Sequence, residues 1–153
     1  MSICLVCGNR SFSKLFSGLL EKCLSCGFVT ANYDMHQFDP NKIYDETYFK
    51  GNEYENYLRD REVFINNYNR RIQFLIKKDK TRSFARVLEI GCAYGFFGLA
   101  LKDRFPESVY CGIDITPSPI QYGKETLGLD LICADYVTFG PEAGYSDIFM
   151  WDV

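Results

Sequence analysis

Two groups of residues in this chain have types and spacings that could do chemistry, and the first is a set of four cysteines. Cys4 and Cys7 form one Cys-x-x-Cys pair, and Cys23 and Cys26 form a second, each followed by glycine. Two such pairs predict a structural zinc site, because a tight turn can present both sulfurs of a pair to one ion. Four thiolates leave no position for water, so a catalytic zinc is not expected. A redox dithiol pair or a ribbon that has lost its metal is the alternative.

The residues between the cysteine pairs predict a short hairpin. Residues 11–16 alternate, with Phe12, Lys14 and Phe16 on one face and Ser11, Ser13 and Leu15 on the other. Residues 1–30 are too few to build a core of their own, so a bound Zn²⁺ would stabilise them. We interpret this segment as a zinc ribbon. His36, beyond the second pair, is predicted to be a surface or packing residue and not a ligand.

The second group is a glycine-rich turn within Val87–Gly98. An apolar run indicates a buried strand, Gly91, Ala93 and Gly95 indicate a turn, and a helix follows. Such a turn can hold a nucleotide-like ligand, because its backbone approaches the ligand closely and the helix start offers N–H groups. The dinucleotide pattern G-x-G-x-x-G is matched poorly, since alanine takes its first position. Glu89, just before the turn, favours a ligand that carries a cation over one that carries a pyrophosphate.

Alternating strands and helices must position that turn. Strands are predicted at 87–91, 109–114, 129–133 and 147–153, and helices at 95–105 and 117–127, with Thr116 as N-cap and Gly128 at the end. Apolar strands joined by helices predict an α/β fold with a parallel, Rossmann-like sheet. A ligand would lie beyond the C-terminal strand ends, which carry Asp114, Asp135 and Asp152. For each aspartate alone, a helix cap or turn role is the alternative.

Residues 31–85 are predicted to form an aromatic connector followed by an amphipathic helix. Apolar residues recur at helical spacing over 55–78, and the opposite face, which includes Arg71, is predicted to be solvated. The tyrosine-rich segment Tyr44–Gly51 could cover the turn as a lid or seal the ribbon against the main domain. The second reading is favoured, because aromatic side chains bury large areas wherever they pack.

Composition limits the function classes. The chain has 153 residues, 47% of them hydrophobic and 24% charged, with a net charge of -3. This acidic balance argues against nucleic acid as a partner. No apolar run is long enough for a membrane span and no signal peptide is seen, so a cytoplasmic location is expected. The sequence does not indicate an oligomeric state. Three cysteines outside the pairs, Cys92, Cys111 and Cys133, are predicted to be small buried residues.

The second group resembles a known family. Glu89-Ile-Gly91-Cys-Ala93-Tyr-Gly95 resembles motif I of the class I S-adenosylmethionine-dependent methyltransferases. Three later stretches resemble the motifs at the ends of the next three strands in the same family. They are the stretches around Asp114-Ile115, around Asp135-Tyr136 and at Asp147–Val153. The resemblance covers residues 86–153. The chain is therefore predicted to consist of a zinc ribbon (1–30), an aromatic connector with an amphipathic helix (31–85) and the cofactor-binding half of a methyltransferase domain (86–153). The order of these parts, a ribbon followed by an aromatic segment and then this domain, is similar to that in a bacterial subgroup of methyltransferases that act on small molecules.

The resemblance implies roles for individual residues. The glycine-rich turn would pass under the methionine part of S-adenosyl-L-methionine, with Glu89 ordering the loop and its amino group. Asp114 would bind both ribose hydroxyls, since a carboxylate accepts two hydrogen bonds at once. Asp135 and the backbone at Tyr136 would meet the adenine. Ala93 replaces the family's central glycine and is small enough to keep the backbone close. The complete implied cofactor set is Glu89, Gly91, Ala93, Gly95, Asp114, Ile115, Asp135 and Tyr136.

The expected function is methyl transfer to a small-molecule acceptor, such as a sugar, a lipid or a quinone-like metabolite. The alternatives are an RNA methyltransferase whose ribbon grips nucleic acid, and a non-catalytic zinc and Rossmann-like binding module. No general base is assigned. The family's domain continues beyond the fourth strand, so we expect a chain ending at Val153 to be a fragment with the cofactor-binding half only. Such a fragment is expected to bind the cofactor poorly and to be inactive alone.

Overall fold

The computed structural model describes residues 3–31, 47–52, 56–140 and 144–151, with the backbone alone for Lys50 and Asn52. The chain divides into two compact units, Met1–Asp39 and Pro40–Val153. The predictions for His36, for Asp152 and for the first part of Tyr44–Gly51 fall outside the described residues. Among the residues described, no helix has both the length and the apolar character needed to cross a bilayer.

The described part of the first unit is a small antiparallel sheet. Its strands are β1 (Phe12–Leu15), β2 (Leu20–Cys23) and β3 (Val29–Ala31), in the order β1-β2-β3. Phe12 lies opposite Cys23 across the first pairing, and a 3-10 turn at Phe16–Gly18 joins the two strands. The predicted hairpin is confirmed. The third strand was not predicted, because three residues are too few to show an alternating pattern.

The second unit is built on a parallel sheet. After a π-helical turn at Tyr48–Asn52, its elements are α1 (Arg61–Lys78), β4 (Arg86–Ile90), α2 (Phe96–Arg104), β5 (Val109–Asp114), α3 (Pro117–Glu125), β6 (Leu131–Cys133) and β7 (Asp147–Met150). All described pairings of this sheet are parallel, in the order β6-β5-β4-β7. The predicted Rossmann-like α/β fold is confirmed. The C-terminal ends of these strands therefore lie at one edge of the sheet.

Several element boundaries differ from the prediction for local reasons. The first helix begins at Arg61 and not near residue 55, because Asn56 turns the chain by accepting the N–H of Arg59 at 3.0 Å. The helix α3 ends at Glu125, and the Leu129 N–H bonds back to the Gly123 carbonyl at 3.1 Å. The strand β6 consequently starts at Leu131 and not at residue 129.

Helices cover one face of the sheet and form its main core. Val87, Tyr110, Leu131 and Phe149 from the strands pack there with buried residues of the three helices, including Ile72, Phe97, Ala100, Leu101 and Ile120. A smaller buried cluster on the strands contains Leu88, Cys111 and Ile113. Cys92 and Cys111 are buried as predicted. The prediction was wrong for Cys133, which is exposed because β6 is the outermost described strand on its side of the sheet.

Candidate functional site

The four paired cysteines come together in the first unit. The sulfur-to-sulfur distance is 3.6 Å between Cys4 and Cys26 and 3.6 Å between Cys7 and Cys23. All four sulfurs lie within 4.8 Å of one another. Sulfurs bonded at tetrahedral angles to one Zn²⁺ would be separated by about 3.8 Å, since Zn–S bonds are about 2.3 Å long. The donor set and its spacing therefore fit a four-thiolate zinc site.

The backbone around these cysteines curls as a metal-binding turn requires. Gly8 and Gly27, which follow the two pairs, have φ of 73° and 78°, a region that favours glycine. The Gly8 N–H donates to the Cys4 carbonyl at 2.8 Å, and the Gly27 N–H donates to the Cys23 carbonyl at 3.0 Å. These dihedral angles let the backbone curl around the sulfurs of each pair.

Backbone N–H groups also point at the sulfurs. The N–H groups of Cys7 and Val6 donate to the Cys4 sulfur and lower its pKa. The N–H group of Cys26, helped by that of Ser25, lowers the pKa of Cys23 to about 6. A lowered thiol pKa favours the thiolate, which is the form that binds metal. The turns thus favour the thiolate form of Cys4 and Cys23. For Cys26 the backbone bond to Phe28 lowers the pKa, but burial and the neighbouring thiols raise it to about 12.

The glycine-rich turn lies between β4 and α2, at the C-terminal edge of the parallel sheet. Its backbone enters the left-handed region at Gly91 (φ 73°), Ala93 (φ 47°) and Gly95 (φ 77°). The N–H groups of Gly91 and Cys92 both donate to the Ile113 carbonyl, at 2.9 and 3.0 Å, and so fasten the turn to β5. Ala93 adopts this conformation at a cost of about 1–2 kcal/mol, because its Cβ crowds the backbone there.

Asp114 ties the turn to the neighbouring loop. Its Oδ2 accepts the Ala93 N–H at 2.9 Å, and its Oδ1 accepts the Thr116 N–H at 2.9 Å. The side chain is half-buried at the end of β5. Each carboxylate oxygen has a further lone pair, so Asp114 can accept two hydroxyl groups of one ligand while it holds the turn. Ile115, the next residue, accepts the Cys133 thiol at its carbonyl at 3.5 Å.

Glu89 lies beneath the turn and not on its surface. Its side chain is 1% exposed, and its Oε2 accepts the hydroxyl of Tyr110. Burial raises the pKa of Glu89 to about 8, while the Tyr110 bond lowers it and the charge of Asp114 raises it. The carboxyl is therefore mostly protonated at neutral pH. Tyr110 was not predicted as part of the site; the only signal for it is a polar aromatic residue inside an apolar strand.

Asp135 and Tyr136 follow β6 at the same sheet edge but are exposed. The Ala134 N–H donates to the Asp114 carbonyl at 2.9 Å, which keeps this loop beside β5. Asp135 accepts the Val137 N–H at its Oδ1 at 2.9 Å, as a turn residue does. The Tyr136 side chain is 52% exposed. The contacts of Asp135 are those of a turn residue, which is the alternative that the sequence left open. Its predicted contact with adenine stays a prediction.

An aromatic cluster packs against the glycine-rich turn. Its centre is Tyr94, whose ring lies 5.5 Å from Phe49 and 5.4 Å from Tyr57, both N-terminal to α1. The Phe96 and Tyr122 rings lie 5.7 and 5.5 Å from the Tyr94 ring. We call these residues the aromatic cluster: Phe49, Tyr57, Tyr94, Phe96 and Tyr122. The described part of the predicted lid segment thus contributes Phe49 to the packing around the turn.

Trp151 follows β7 and packs under α1. Its ring stacks on Phe149 at 5.3 Å, and the Arg71 guanidinium lies 4.8 Å from its ring centre. Arg71 was predicted on the solvated face of α1; it is half-buried instead, because a guanidinium is attracted to the face of an indole ring. The Trp151 Nε1 atom is buried and has no hydrogen-bond partner among residues 3–31, 47–52, 56–140 and 144–151.

Part of the chain is similar to two curated methyltransferases. Malonyl-[acyl-carrier protein] O-methyltransferase 1 of Ilyobacter polytropus is 37% identical over 67 residues, which are 41% of this chain and 25% of that protein. The malonyl-[acyl-carrier protein] O-methyltransferase of Anoxybacillus flavithermus is 36% identical over 52 residues, which are 32% of this chain and 20% of that protein. Both relatives are methyltransferases by name, which confirms the resemblance found in the sequence. The chain spans a quarter or less of their length.

No protein-family model matches the chain. Among solved structures, the plantazolicin methyltransferase BpumL in complex with SAH has a TM-score of 0.47 and 20% identity, and covers 60% of this chain and 40% of that one. Coclaurine N-methyltransferase has a TM-score of 0.45 and 17% identity, and covers 54% of this chain and 26% of that one. Similarity at these TM-scores does not assign a ligand to this chain.

Proposed function

We propose that residues 86–153 form the S-adenosylmethionine-binding part of a class I methyltransferase that acts on a small-molecule acceptor. The observation that carries the proposal is the Asp114 carboxylate. It holds the turn through the Ala93 N–H and the next loop through the Thr116 N–H, both at 2.9 Å, at the strand end where nucleotide-like ligands bind. The names of the two curated relatives support the same activity.

The residues at this edge fit the proposed cofactor. The turn offers closely approachable backbone for the methionine part, Asp114 offers acceptors for the ribose hydroxyls, and the Asp135 and Tyr136 loop lies beside it for the adenine. When bound, S-adenosylmethionine supplies the electrophilic methyl group. The protein's own contribution is to align that group, and the aromatic cluster excludes water from the inner side of the turn.

A dinucleotide is the competing ligand for such a turn, and the structure gives reasons against it. Gly98 occupies the third glycine position of the poor G-x-G-x-x-G match. A Cβ on Gly98 would lie 2.2 Å from Cε1 of Tyr110, so packing accounts for this glycine without any phosphate. The buried Glu89 carboxyl below the turn would also oppose a pyrophosphate above it whenever it ionises.

Calorimetric titration of the chain with S-adenosylhomocysteine and, separately, with NAD tests the proposal. We expect saturable heat with S-adenosylhomocysteine and none with NAD. Heat with NAD alone would identify a dehydrogenase-type cofactor site and overturn the proposal. Heat with neither ligand would also overturn it and favour a non-catalytic binding module.

The first unit is proposed to hold one structural Zn²⁺ through Cys4, Cys7, Cys23 and Cys26. The sulfur distances and the backbone N–H groups aimed at Cys4 and Cys23 support this proposal. With four thiolates as ligands the ion has no position for water or substrate, so its role is to fold the unit and not to catalyse.

The acceptor is proposed to be a small molecule and not RNA. The ribbon has few basic residues, and the chain as a whole carries a net charge of -3, so it lacks the basic excess that neutralises phosphates. The two curated relatives are named for a malonyl group carried on acyl-carrier protein, so a carrier-linked malonyl group is a further candidate acceptor. Fluorescence anisotropy with labelled structured RNA should show no saturable binding at physiological salt. Salt-sensitive, saturable RNA binding would contradict the small-molecule assignment.

A further inference from the structure

The ring of Tyr110 occupies space that is left open by two glycines, Gly98 and Gly112. Tyr110 is 2% exposed on β5, and its ring fills the space over Gly98 of α2, where a Cβ would lie 2.2 Å from Cε1. The hydroxyl end of the same ring fills the space over Gly112, where a Cβ would lie 2.7 Å from that oxygen. Any larger residue at either position would displace the ring. The packing therefore fixes where the Tyr110 hydroxyl points.

That hydroxyl points at the carboxyl of Glu89. Glu89 lies directly opposite Gly112 in the sheet register, on the helix-covered face, and the next residues of its strand lead into the glycine-rich turn. The described titratable groups that act on this pair are Asp114 on β5, Cys92 in the turn and Tyr68 on α1. None of them is a cation, so the Tyr110 hydroxyl is the group in this set that favours an ionised Glu89.

The proposed cofactor would bring a positive charge to the other side of the turn. Its methionine part carries an ammonium and a carboxylate, and its sulfur is a sulfonium, so this part has a net positive charge. The proposed function places it over the turn that begins at Gly91. A cation above the turn stabilises a carboxylate below it, because the buried site screens their attraction weakly. Before the ligand arrives, burial keeps the proton on Glu89.

We propose that cofactor binding expels the proton of Glu89 to solvent, and that Tyr110 is the positioning residue that holds the carboxylate formed. The proton leaves as the ligand's cation arrives, so the charge beneath the turn is balanced in both states. This inference rests on the proposed function, since it requires a cationic ligand at the turn. It predicts that affinity for the cofactor rises with pH while free Glu89 is still protonated and levels off once free Glu89 has ionised.

Isothermal calorimetry of S-adenosylmethionine binding to the full chain, in two buffers of different ionisation enthalpy, measures the protons released. We expect a release at neutral pH in the wild type and none in Glu89→Gln, whose amide cannot ionise. S-adenosylmethionine, with its added sulfonium charge, should bind more tightly relative to S-adenosylhomocysteine as pH rises. No heat at any pH would overturn the proposed function. Binding with no proton release, or with equal release in Glu89→Gln, would overturn this inference alone.

Tyr110→Phe separates positioning from packing, because the ring that fills the space over the glycines is kept. At about pH 6.5 its affinity should be roughly tenfold below that of the wild type, the effect of one hydrogen bond to a charged group. The gap should narrow at about pH 8.5, because the wild-type affinity levels off once free Glu89 is ionised while that of Tyr110→Phe still rises. A purely structural role would give the same gap at both pH values and would refute the proposal. Tyr145→Phe, which removes a phenol that bonds Cys111, is the matched control and should bind like the wild type.

Discussion

At the scale of single residues, Ala93 is the irregular member of the turn. Its φ of 47° lies in the left-handed region, where a Cβ costs about 1–2 kcal/mol. The structure keeps this conformation because Asp114 accepts the Ala93 N–H and Ile113 accepts the two preceding N–H groups. The turn therefore stores strain at the position where the proposed ligand would lie, and one substitution can release it.

Replacing Ala93 with glycine should leave the free energy of unfolding unchanged or raise it by up to about 1 kcal/mol, because relief of the strain exceeds the added entropy of the unfolded chain. The matched control is Ala100→Gly in α2, the same chemical change in an ordinary helix, which should lower the free energy by about 1 kcal/mol or more. Urea denaturation of both variants measures the difference. Equal destabilisation of the two would show that Ala93 is not strained.

Glu89 gives a pH dependence that needs no ligand. Its pKa is about 8 in the folded chain against 4.5 for the unperturbed group, so the folded state binds more protons between these values. The stabilising contribution of the protonated group is complete below pH 4.5 and is lost as pH rises through this window to about 8. Thermal unfolding of Glu89→Gln should show a smaller loss of Tm than the wild type over the same window. Parallel Tm curves for the two proteins would contradict the raised pKa.

The position of a residue in the fold could be predicted where a short sequence window contained the signal. Gly91, Ala93, Gly95 and Asp114 could be placed at one sheet edge from the turn spacing and the strand pattern alone. The Tyr110 bond to Glu89 could not be predicted, because its partners are 21 residues apart and meet only through strand register. Asp135 has the residue type for either a ligand contact or a turn, and one sequence cannot choose between them.

At the scale of elements, the packing of α2 on β5 depends on Gly98. Alanine normally favours a helix over glycine by about 1 kcal/mol, but here its Cβ would overlap the Tyr110 ring. The steric conflict should dominate, because overpacking a filled core costs about 1–3 kcal/mol.

Gly98→Ala should therefore lower the free energy of unfolding by about 1–3 kcal/mol despite the better helix propensity. Asp103→Ala, at an exposed position of the same helix, is the control and should change it by less than about 0.5 kcal/mol. Chemical denaturation followed by circular dichroism measures both. A stabilised Gly98→Ala protein would show that the ring and the helix do not pack as described.

The elements themselves were more predictable than their limits. Apolar strands and capping residues indicated β4, β5, β6, β7, α2 and α3 in the correct order, and helical periodicity indicated α1. The ends differed where a hydrogen bond outside the pattern intervened, as at Asn56 and at Leu129. The strand β3 could not be predicted, because its three residues are too few to show an alternating pattern. Its backbone pairing with β2 defines it as a strand.

At the scale of the whole molecule, the chain consists of two units with different sources of stability. The second has a buried apolar core, whereas the described residues of the first, 3–31, bury only Cys4 and Cys23 and expose Leu5, Phe16 and Leu19. We therefore expect this small unit to need the proposed Zn²⁺ to fold. The two units should therefore respond differently to chelation.

The purified chain should contain one Zn²⁺, and removing it should unfold the first unit. Elemental analysis measures the metal, and NMR amide dispersion of residues 3–31 reports the fold before and after a strong chelator. Cys23→Ser should lose the metal, while Cys133→Ser, an exposed cysteine outside the cluster, should keep it. Full zinc content in Cys23→Ser would contradict a site built from all four thiolates.

The proposed cofactor site depends most on Asp114, and the affinity of the chain for S-adenosylhomocysteine tests that role directly. Titration calorimetry should show binding to the wild type and to Asp130→Asn, an exposed aspartate that keeps its carbonyl bond to Gly112. Asp114→Asn should weaken binding by about tenfold or more, because it loses a charged acceptor for the ribose hydroxyls and for the turn. Equal affinity of Asp114→Asn and the wild type, or no binding by either, would contradict the account.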